Sequence, residues 1–380
     1  MSKQIAIVSV INDLVSDQRV HRTAITLKHA GYEVLLVGRQ RKASPELFPR
    51  EYATHRMKLL YEKGPFFYAE YNIRLFFFLL LHKASLLVSN DLDTLLPNHL
   101  MHKLKNIPLV YDAHEYFTGV PELEHRPFVR KIWKLIERMI VPRLKNMVTV
   151  NDSMAELYQK EYGITPLVIR NIPLSIEETA DPKPTRKDFN LPDDKRIILL
   201  QGAGININRG AEEAVLAMQY TSNALLLIIG DGDVLPTLKT MVSENDLQDK
   251  VSFIPRQSAR TLAQYTSLAD LGISLDKDTN INYRLSLPNK IFDYIKAGVP
   301  ILASPLPEVK KIITRFNCGM LIENHDPQHI ASCFNRMLDD PAFLQKCRTN
   351  AWQAAIFLDG EIEQRPLLNL FRQIKSPQLK

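Results

Sequence analysis

The residues best suited to chemistry in this sequence lie in a short segment, LPNKIFDYIKAGVPILAS, at positions 287–304. Its pattern predicts a turn, a short helix that ends at Gly298, and then a buried strand. Asn289 and Lys290 fall at the predicted helix start, where unpaired backbone N–H groups and the positive end of the helix dipole attract anions. Asp293 follows one turn later. The segment therefore predicts a phosphate-binding helix start, with an ordinary amphipathic helix and a solvated Lys290 as the alternative.

A glycine-bearing loop, QGAGININRG at positions 201–210, contains a second set of anion-binding groups. Gly202 and Gly204 would let the backbone approach a phosphate closely, and Arg209 would place a planar fork of donors at a helix start. The third glycine of the dinucleotide fingerprint is missing, which argues against a dehydrogenase. A later GDGD sequence begins with Gly230 and fits a tight turn as well as a ligand-binding loop.

An imidazole between two acids follows a predicted strand in the first half of the chain, in the sequence VYDAHEYF. Asp112, His114 and Glu115 lie within four residues of one another. A histidine flanked by carboxylates can orient a sugar hydroxyl or take a proton, and it titrates near neutral pH. A simple hydrogen bond to a neighbouring loop is the alternative role for His114.

Strands and helices that alternate would bring these residues to the edges of sheets. Apolar runs of strand length occur at 5–10, 33–37, 86–89, 109–111, 147–150, 197–201, 225–229, 251–254, 271–274 and 301–304. Such continuous apolar strands, separated by helical patterns, are typical of parallel sheets covered on both faces. Ligands bind outside the carboxyl ends of these strands. This rule adds Asn12, Asp17, Arg19 and Asp91 to the candidate ligand-binding residues.

The chain length of 380 residues predicts two domains, because a single core rarely serves more than about 250 to 300 residues. Residues 175–195 are rich in Pro, Glu, Asp and Lys and are interpreted as a linker. The predicted organisation is a first domain at 1–174, a second domain at 196–352 and a helical segment at 353–380. The predicted fold class is α/β, with a parallel sheet in each domain.

The overall composition is that of a globular protein with anionic partners. Hydrophobic residues make up 45% and charged residues 24% of the chain, the net charge is +6, and the pI is about 9.0. This balance favours nucleotides or acidic lipid surfaces as partners, and no usual nucleic-acid-binding motif is present. Cys318, Cys333 and Cys347 form no C-x-x-C pair, which argues against zinc and disulfides. The opening MSKQIAIVSV has no secretory pattern, so a cytoplasmic location is expected.

Two predicted helices have a high apolar content. The run LFFFLLL at 75–81 is far shorter than the roughly 20 residues of a membrane span, and it predicts a buried helix. A second helix is predicted between Pro127 and Lys145. Its apolar face comprises Phe128, Ile132, Leu135, Ile136, Met139 and Ile140, and its basic face comprises Arg130, Lys131, Lys134 and Arg138. Helices of this type lie on anionic membranes or form half-buried elements, so contact with the inner face of a membrane is a candidate property.

Taken together, these segments resemble the family 4 glycosyltransferases over almost the whole chain. The matching segments are NDLVSDQRVHRTAITLKHAGYEVLLV, SNDLDTLL, VYDAHEYF, VIRNIP, GAGININRG, LIIGDGD and PNKIFDYIKAGVPILAS. The last is similar to a branch of the family with a PNK-F-(D/E)-Y motif. The resemblance implies the GT-B fold, in which two Rossmann-like domains face each other and a last helix crosses back to the first. Residues 366–374, PLLNLFRQI, would belong to that helix.

The resemblance further implies a retaining, metal-independent transfer of a hexose from a nucleotide-sugar donor to a saccharide or lipid-linked acceptor. The second domain would bind the donor and the first domain the acceptor. No cofactor is expected, because the nucleotide sugar is a substrate. Negative charge grows on the diphosphate as the glycosyl bond breaks, so fixed cations accelerate the reaction. Arg209 and Lys290 are the candidate cations.

Further roles come from the positions that match the family. By resemblance, Asn289 would help to hold the diphosphate, Asp293 would bind the nucleotide ribose, and His114 would face the acceptor and the donor sugar as a candidate catalytic residue. The nucleotide-sugar side would also include three glycines, Gly202, Gly204 and Gly230. The acceptor side would be formed by Asn12, Asp17, Arg19, Asp91, Asp112, His114 and Glu115. No metal ligand is expected.

The sequence departs from the family pattern at three places. Many members carry two glutamates separated by seven residues, whereas here the second position is Asp293 and the first is Leu285, which has no carboxylate. The arginine that usually precedes the phosphate-loop helix falls at Gly204, and the N-terminal loop reads NDLVSD instead of being glycine-rich. These departures favour a subtype in which Lys290 takes over charge stabilisation. The expected role of the enzyme is the biosynthesis of a surface polysaccharide or a lipid-linked oligosaccharide. A sugar-nucleotide epimerase of the same fold, or a non-catalytic partner subunit, is the alternative.

Overall fold

The computed structural model describes residues 4–15, 17–42, 44–173 and 184–375, and the chain forms two compact units. The first unit comprises Met1–Asn171 and Ile362–Lys380, and the second comprises Ile172–Glu361. Within the described residues, each unit has one sheet, and the strand pairs of both sheets are parallel. The predicted α/β class, with two Rossmann-like domains built on parallel sheets, is confirmed.

The first unit is built around a sheet whose central strand is the first in the sequence. Its strands are β1 (Ile5–Asp13), β2 (Glu33–Gln40), β3 (Ala53–Lys58), β4 (Leu86–Asn90), β5 (Leu109–Ala113), β6 (Asn146–Thr149) and β7 (Leu167–Val168). Its helices are α1 (Gln18–His29), α2 (Pro65–Leu81), α3 (Leu92–Lys105), α4 (Pro121–Glu124), α5 (Pro127–Ile140) and α6 (Asp152–Tyr162). The sheet order is β3-β2-β1-β4-β5-β6-β7, so the chain reverses direction across the sheet between β1 and β4. Ligand sites of open α/β sheets lie at such a reversal.

The second unit repeats this arrangement. Its strands are β8 (Arg196–Gly202), β9 (Ala224–Gly230), β10 (Val251–Pro255), β11 (Leu271–Ser274), β12 (Ile301–Ala303) and β13 (Gly319–Leu321). Its helices are α7 (Ala211–Ala217), α8 (Leu235–Glu244), α9 (Ala259–Ser267), α10 (Ile281–Arg284), α11 (Asn289–Lys296), α12 (Pro307–Phe316), α13 (Pro327–Leu338) and α14 (Pro341–Phe357). The sheet order is β10-β9-β8-β11-β12-β13, which places the reversal between β8 and β11.

The strands of the second unit are apolar throughout because helices cover both faces of the sheet. In β8, Ile198 and Leu200 pack into a core that includes residues of α7 and α13. The alternate residues, Ile197 and Leu199, pack into a second core that includes residues of α11 and α14. Side chains alternate between the two faces of a strand, so a strand covered on both faces needs an uninterrupted apolar run.

The last helix, α15 (Gly360–Lys375), contributes to the core of the first unit. Leu367 and Phe371 are buried there with residues of α1 and β1. An ion pair between Arg170 Nη2 and Glu363 Oε2, at 2.8 Å, links this helix to the end of the Met1–Asn171 segment. The division between the units falls at 361/362, beyond α14, whereas the expected helical segment began at residue 353.

The expected linker at 175–195 lies partly outside the described residues, which resume at 184. A short 3₁₀ turn spans Lys187–Phe189, and Leu191 is buried in the core of the second unit. Residues 184–195 are therefore an ordered part of the second unit.

The helix predicted at 75–81 belongs to α2, which is buried on one face and exposed on the other. Leu75 and Leu79 are buried, but Phe77 and Leu81 are exposed. A helix that packs on a sheet buries only one stripe, whatever the composition of its other side. Among the described helices, none is both long enough and apolar enough to cross a membrane.

Helix α5 leaves most of its predicted apolar face exposed. Trp133, Glu137 and Ile140 are buried, whereas four large apolar side chains are exposed, namely Phe128, Ile132, Leu135 and Met139. Glu137 is stabilised by an ion pair with Lys134 Nζ at 3.0 Å and by hydrogen bonds from Thr118 Oγ1 at 3.1 Å and Tyr162 Oη at 2.7 Å. These contacts offset the cost of burying a carboxylate and orient the apolar stripe outward.

We expect Phe371→Ala to lower the free energy of unfolding of the first unit by about 3 to 5 kcal/mol, because the change removes a fully buried ring and leaves a cavity. Urea denaturation followed by tryptophan fluorescence and circular dichroism would measure the change. Asn369→Ala, on an exposed turn of the same helix, is the matched control. A loss below about 1 kcal/mol for Phe371→Ala would contradict a core role for α15.

Candidate functional site

Helix α11 begins at Asn289, as the sequence predicts. Its N-cap residue is Pro288, whose side chain makes no capping hydrogen bond. The buried face of the helix includes Ile291, and the Tyr294 hydroxyl donates a hydrogen bond to the Leu199 carbonyl at 2.9 Å. This packing anchors the helix against β8, with its N-terminus at the carboxyl-end edge of the sheet.

Arg209 and Lys290 both contact one carboxylate, that of Asp276. Arg209 Nη1 lies 2.8 Å from Asp276 Oδ1, and Lys290 Nζ lies 3.5 Å from Asp276 Oδ2. Ser274 Oγ donates a further hydrogen bond to Oδ2 at 3.1 Å. The structure thus brings together two cations that are 81 positions apart in the sequence (290 − 209).

Asp276 is a site residue that the sequence-based selection of candidates missed. It is fully buried, and burial alone would raise the pKa of its carboxyl group. The charges of Lys290 and Arg209 outweigh burial and hold that pKa below its ordinary value. The strand-end rule was the available signal, because Asp276 comes two residues after β11.

The loop that carries Arg209 is closely packed against the loop after β11. Gly210 has a φ of 75°, and a Cβ at this position would lie 2.1 Å from the Leu275 carbonyl oxygen, so the close approach requires glycine. The Lys277 N–H donates a hydrogen bond to the Asn208 carbonyl at 2.9 Å. The Arg209 guanidinium also lies 4.2 Å from the centre of the Tyr283 ring. Arg209 is therefore fixed from two sides.

The three candidate glycines differ in their surroundings. A Cβ at Gly202 or Gly204 would meet no atom closer than 3.9 Å, so the loop after β8 is open at both positions. A Cβ at Gly230 would lie 1.7 Å from the Gly202 carbonyl oxygen, so Gly230 is required by the packing of neighbouring strand ends. Open glycines leave room for a ligand to approach the backbone, whereas Gly230 has a structural reason of its own.

Asp293 faces the amide of Gln201. Gln201 Nε2 donates a hydrogen bond to Asp293 Oδ2 at 3.0 Å, and Thr266 Oγ1 donates one to Gln201 Oε1 at 2.7 Å. This chain of hydrogen bonds fixes the carboxylate one turn after Lys290. Burial raises the pKa of Asp293 to about 6, against the opposing effects of Gln201 and Lys296.

In the first unit, the reversal between β1 and β4 contains a buried group of charges. His114 lies between two carboxylates, with Nδ1 3.3 Å from Asp91 Oδ2 and Nε2 3.4 Å from Asp112 Oδ2. Its backbone N–H donates a hydrogen bond to Asp91 Oδ1 at 2.8 Å. Arg19 binds Asp112 through two hydrogen bonds, of 2.6 Å from Nη2 and 3.2 Å from Nε. The structure thus brings together four of the expected acceptor-side residues, Arg19, Asp91, Asp112 and His114.

These contacts decide the protonation of His114. Burial alone would lower the pKa of the imidazole, but Asp91 and Asp112 raise it to about 9. His114 is therefore a protonated hydrogen-bond donor at neutral pH and is not available to accept a proton. The Arg19 and His114 charges hold the pKa of Asp112 well below its ordinary value despite its burial.

The remaining acceptor-side candidates make other contacts in the first unit. Asp17 is the N-cap of α1 and accepts a hydrogen bond from the Val20 N–H at 3.1 Å, while Asn12 Nδ2 lies 3.5 Å from Asp17 Oδ2. Glu115 is exposed. Asn90 adds to the charged group, because its Oδ1 lies 3.2 Å from His114 Nε2.

Among the described residues, no group of three or more His, Cys, Asp or Glu side chains is arranged to hold a metal ion. Cys318, Cys333 and Cys347 are free and buried. Burial raises the pKa of each thiol.

Two family models match this chain, one for each half. The model described as Glycosyltransferase Family 4 matches residues 17–178, and the model described as Glycosyl transferases group 1 matches residues 182–354. Together the two matches support a family 4-like glycosyltransferase. The matched ranges of this family 4-like chain include the group around His114 and the group around Asp276.

Individual relatives are distant. The family 4-like chain is 21% identical over 269 residues to a D-inositol 3-phosphate glycosyltransferase of Nocardioides sp. (strain ATCC BAA-499 / JS614), a match covering 63% of this chain and 56% of that protein. Among solved structures, WaaG, a glycosyltransferase involved in lipopolysaccharide biosynthesis, has a TM-score of 0.75 at 15% identity, over 97% of this chain and 99% of WaaG. HepE of Anabaena, in complex with UDP and glucose, has a TM-score of 0.73 at 13% identity, over 97% and 99% of the two chains. At these identities the structural likeness shows the GT-B fold.

We expect Asp293→Asn to stabilise the second unit at neutral pH. Because the folded-state pKa of about 6 lies above the ordinary value of 3.8, native stability falls as the pH rises from about 4 through about 6. The asparagine variant avoids this loss and should be more stable by up to about 3 kcal/mol at pH 7.5, with little difference at pH 4. Urea denaturation at both pH values would measure it.

Asp249→Asn, on the exposed surface of the same unit, is the control for this pH dependence. An Asp293→Asn variant that is less stable than the original protein at pH 7.5 would contradict an ionisation cost at this position.

Proposed function

We propose that the protein is a retaining glycosyltransferase that moves a hexose from a nucleoside-diphosphate sugar to a saccharide or lipid-linked acceptor, without a metal ion. The observation that carries this proposal is the pairing of Arg209 and Lys290 on one buried carboxylate, beside the start of α11. The two family-model matches support the reaction class, and the UDP and glucose bound to HepE make UDP-glucose the first donor to test.

The second unit would stabilise the leaving group. As the bond between the anomeric carbon and the diphosphate oxygen breaks, negative charge accumulates on the diphosphate. Arg209 and Lys290 remain partly accessible, with side-chain exposures of 28% and 13%, and would interact most strongly with this charge in the transition state. The N–H groups at the start of α11, beside Asn289, would add donors to the same anion. Asp293 would accept hydrogen bonds from the ribose hydroxyls.

The first unit would hold the acceptor. The ring N–H groups of the protonated His114 are directed at Asp91 and Asp112, so His114 would hold these two carboxylates in position to accept hydrogen bonds from sugar hydroxyls. Arg19 forms an ion pair with Asp112. The two carboxylates, Asp91 and Asp112, are therefore balanced by two cations, Arg19 and the protonated His114. In this role His114 positions the two carboxylates and does not act as a general base.

We expect Lys290→Ala and Arg209→Ala each to lower kcat/KM for sugar transfer by a factor equivalent to about 2 to 4 kcal/mol, because each removes a charge that stabilises the developing anion. Initial rates with a panel of nucleotide sugars and acceptors would measure the loss. Lys310→Ala, an exposed cation of the second unit, is the control and should retain full activity.

The products of the same assay would distinguish a retaining transferase from other enzymes. NMR of the product would report whether the anomeric configuration is retained. Isomerised nucleotide sugar without acceptor would instead indicate an epimerase. Unchanged turnover in both alanine variants would rule out the assigned site.

We further propose that α5 brings the first unit into peripheral contact with the inner face of a membrane, in the biosynthesis of a surface polysaccharide. The support is the outward apolar stripe of α5, in which Phe128 is 75% and Leu135 58% exposed. Lys131 and Arg138 are exposed on the same helix and would interact with anionic headgroups. The buried ion pair of Glu137 keeps this orientation.

We expect Leu135→Ser to lower partitioning onto vesicles of phosphatidylcholine and phosphatidylglycerol about tenfold, because a leucine side chain transferred from water contributes roughly 1.5 kcal/mol or more. Vesicle co-sedimentation would measure the bound fraction. Ile356→Ser, at a residue 70% exposed in the second unit, is the matched control. Equal binding by the two variants would exclude α5 as the contact surface.

A further inference from the structure

Asp276 has no oxygen left for a substrate. Its Oδ1 accepts a hydrogen bond from Arg209, and its Oδ2 contacts Ser274 and Lys290. The side chain is also fully buried, so neither oxygen can reach an anomeric carbon. A direct role as nucleophile or base is therefore excluded by geometry, and any effect of Asp276 on the reaction must act through its neighbours.

Arg209 and Lys290 lie close together although both side chains are positively charged. Arg209 belongs to the loop after β8, and Lys290 belongs to the first turn of α11. Two cations directed at the same point repel each other, and the repulsion is strong where water is partly excluded. One carboxylate in contact with both offsets this repulsion and sets the position of each positive group relative to the other.

We propose that Asp276 is the positioning residue of the candidate donor site, an inference that rests on the proposed glycosyltransferase function. Asp276 directs Arg209 and Lys290 toward one diphosphate. It also reduces the charge of the group, since two positive charges and one negative charge leave +1 instead of +2.

This charge reduction affects the product more than the donor. After the glycosyl bond breaks, the nucleoside diphosphate carries one more negative charge than the diphosphate of the nucleotide sugar. A fixed carboxylate nearby therefore weakens product binding more than donor binding. Asp276 favours release of the product, while the fixed cations still stabilise the charge that forms during the reaction.

The variant Asp276→Asn tests this inference, because it keeps the size of the side chain and removes the charge. We expect kcat to fall at least about tenfold, since the cations lose their common partner. We expect the affinity for UDP, measured by titration calorimetry, to increase about tenfold, and the affinity for UDP-glucose to increase less. A merely structural role predicts the opposite for UDP, with weaker binding that follows a lower melting temperature.

Two further variants complete the design. Ser274→Ala removes the hydrogen bond from Ser274 to Asp276 Oδ2 without changing the charge of the site. The UDP affinity of this variant should stay within about threefold of that of the original protein. Asp276→Asn/Lys290→Met keeps the net charge at +1, and we expect its UDP affinity to return to the original value while kcat stays low. This double variant has no additional uncompensated cation, so it keeps the inference testable if Asp276→Asn alone fails to fold.

The outcomes separate this inference from the proposed function. If the original protein transfers no sugar from any donor, the proposed function fails, and the UDP affinities alone still test the charge effect. If the original protein transfers sugar and Asp276→Asn leaves kcat and UDP affinity unchanged, the positioning role is overturned and the proposed function stands. Weaker UDP binding by Asp276→Asn, or tighter binding by the double variant, would also overturn it.

Discussion

The carboxylate of Asp276 lies between Arg209 and Lys290, two cations that belong to different segments of the second unit and would repel each other without it. Several features of that unit serve this contact. Gly210 allows the loop after β8 to approach Leu275, and Tyr294 anchors α11 to β8, so both cations arrive at the same end of the sheet. The carboxyl-end edge of a parallel sheet is where such loops meet, because every strand delivers its following loop to the same side.

The charged group of the first unit has the reverse arrangement, with one cation between two carboxylates. There the imidazole of His114 lies between two carboxylates, and Arg19 compensates the remaining negative charge through Asp112. Buried charges are tolerated when they are paired and hydrogen-bonded, since an isolated charge costs too much to remove from water. In both units the paired charges lie at the point where the sheet order reverses, so two unrelated sequences produce the same kind of charged edge.

Four buried acids of the two candidate sites differ in pKa for a simple reason. Arg19 and His114 lower the pKa of Asp112, and Lys290 and Arg209 lower that of Asp276, in both cases against the effect of burial. Burial prevails at Asp91 and at Asp293, and their pKa values are raised. Asp293 accepts a hydrogen bond from the Gln201 amide, which offsets only part of the desolvation cost of its charge. A buried acid with a raised pKa is typical of a ligand-binding position.

The sequence by itself determined the α/β class, the two parallel sheets and the candidate cations, because continuous apolar strands, helical spacing and strand-end loops are local patterns. It did not distinguish Asp276 from Asp278, which lies two residues away and pairs with Arg284 on the surface. It also did not predict that α5 would bury Glu137 and expose Phe128, since Lys134, Thr118 and Tyr162 stabilise the acid only once the chain has folded. Burial and charge pairing depend on residues far apart in the sequence, and only the tertiary structure brings those residues into contact.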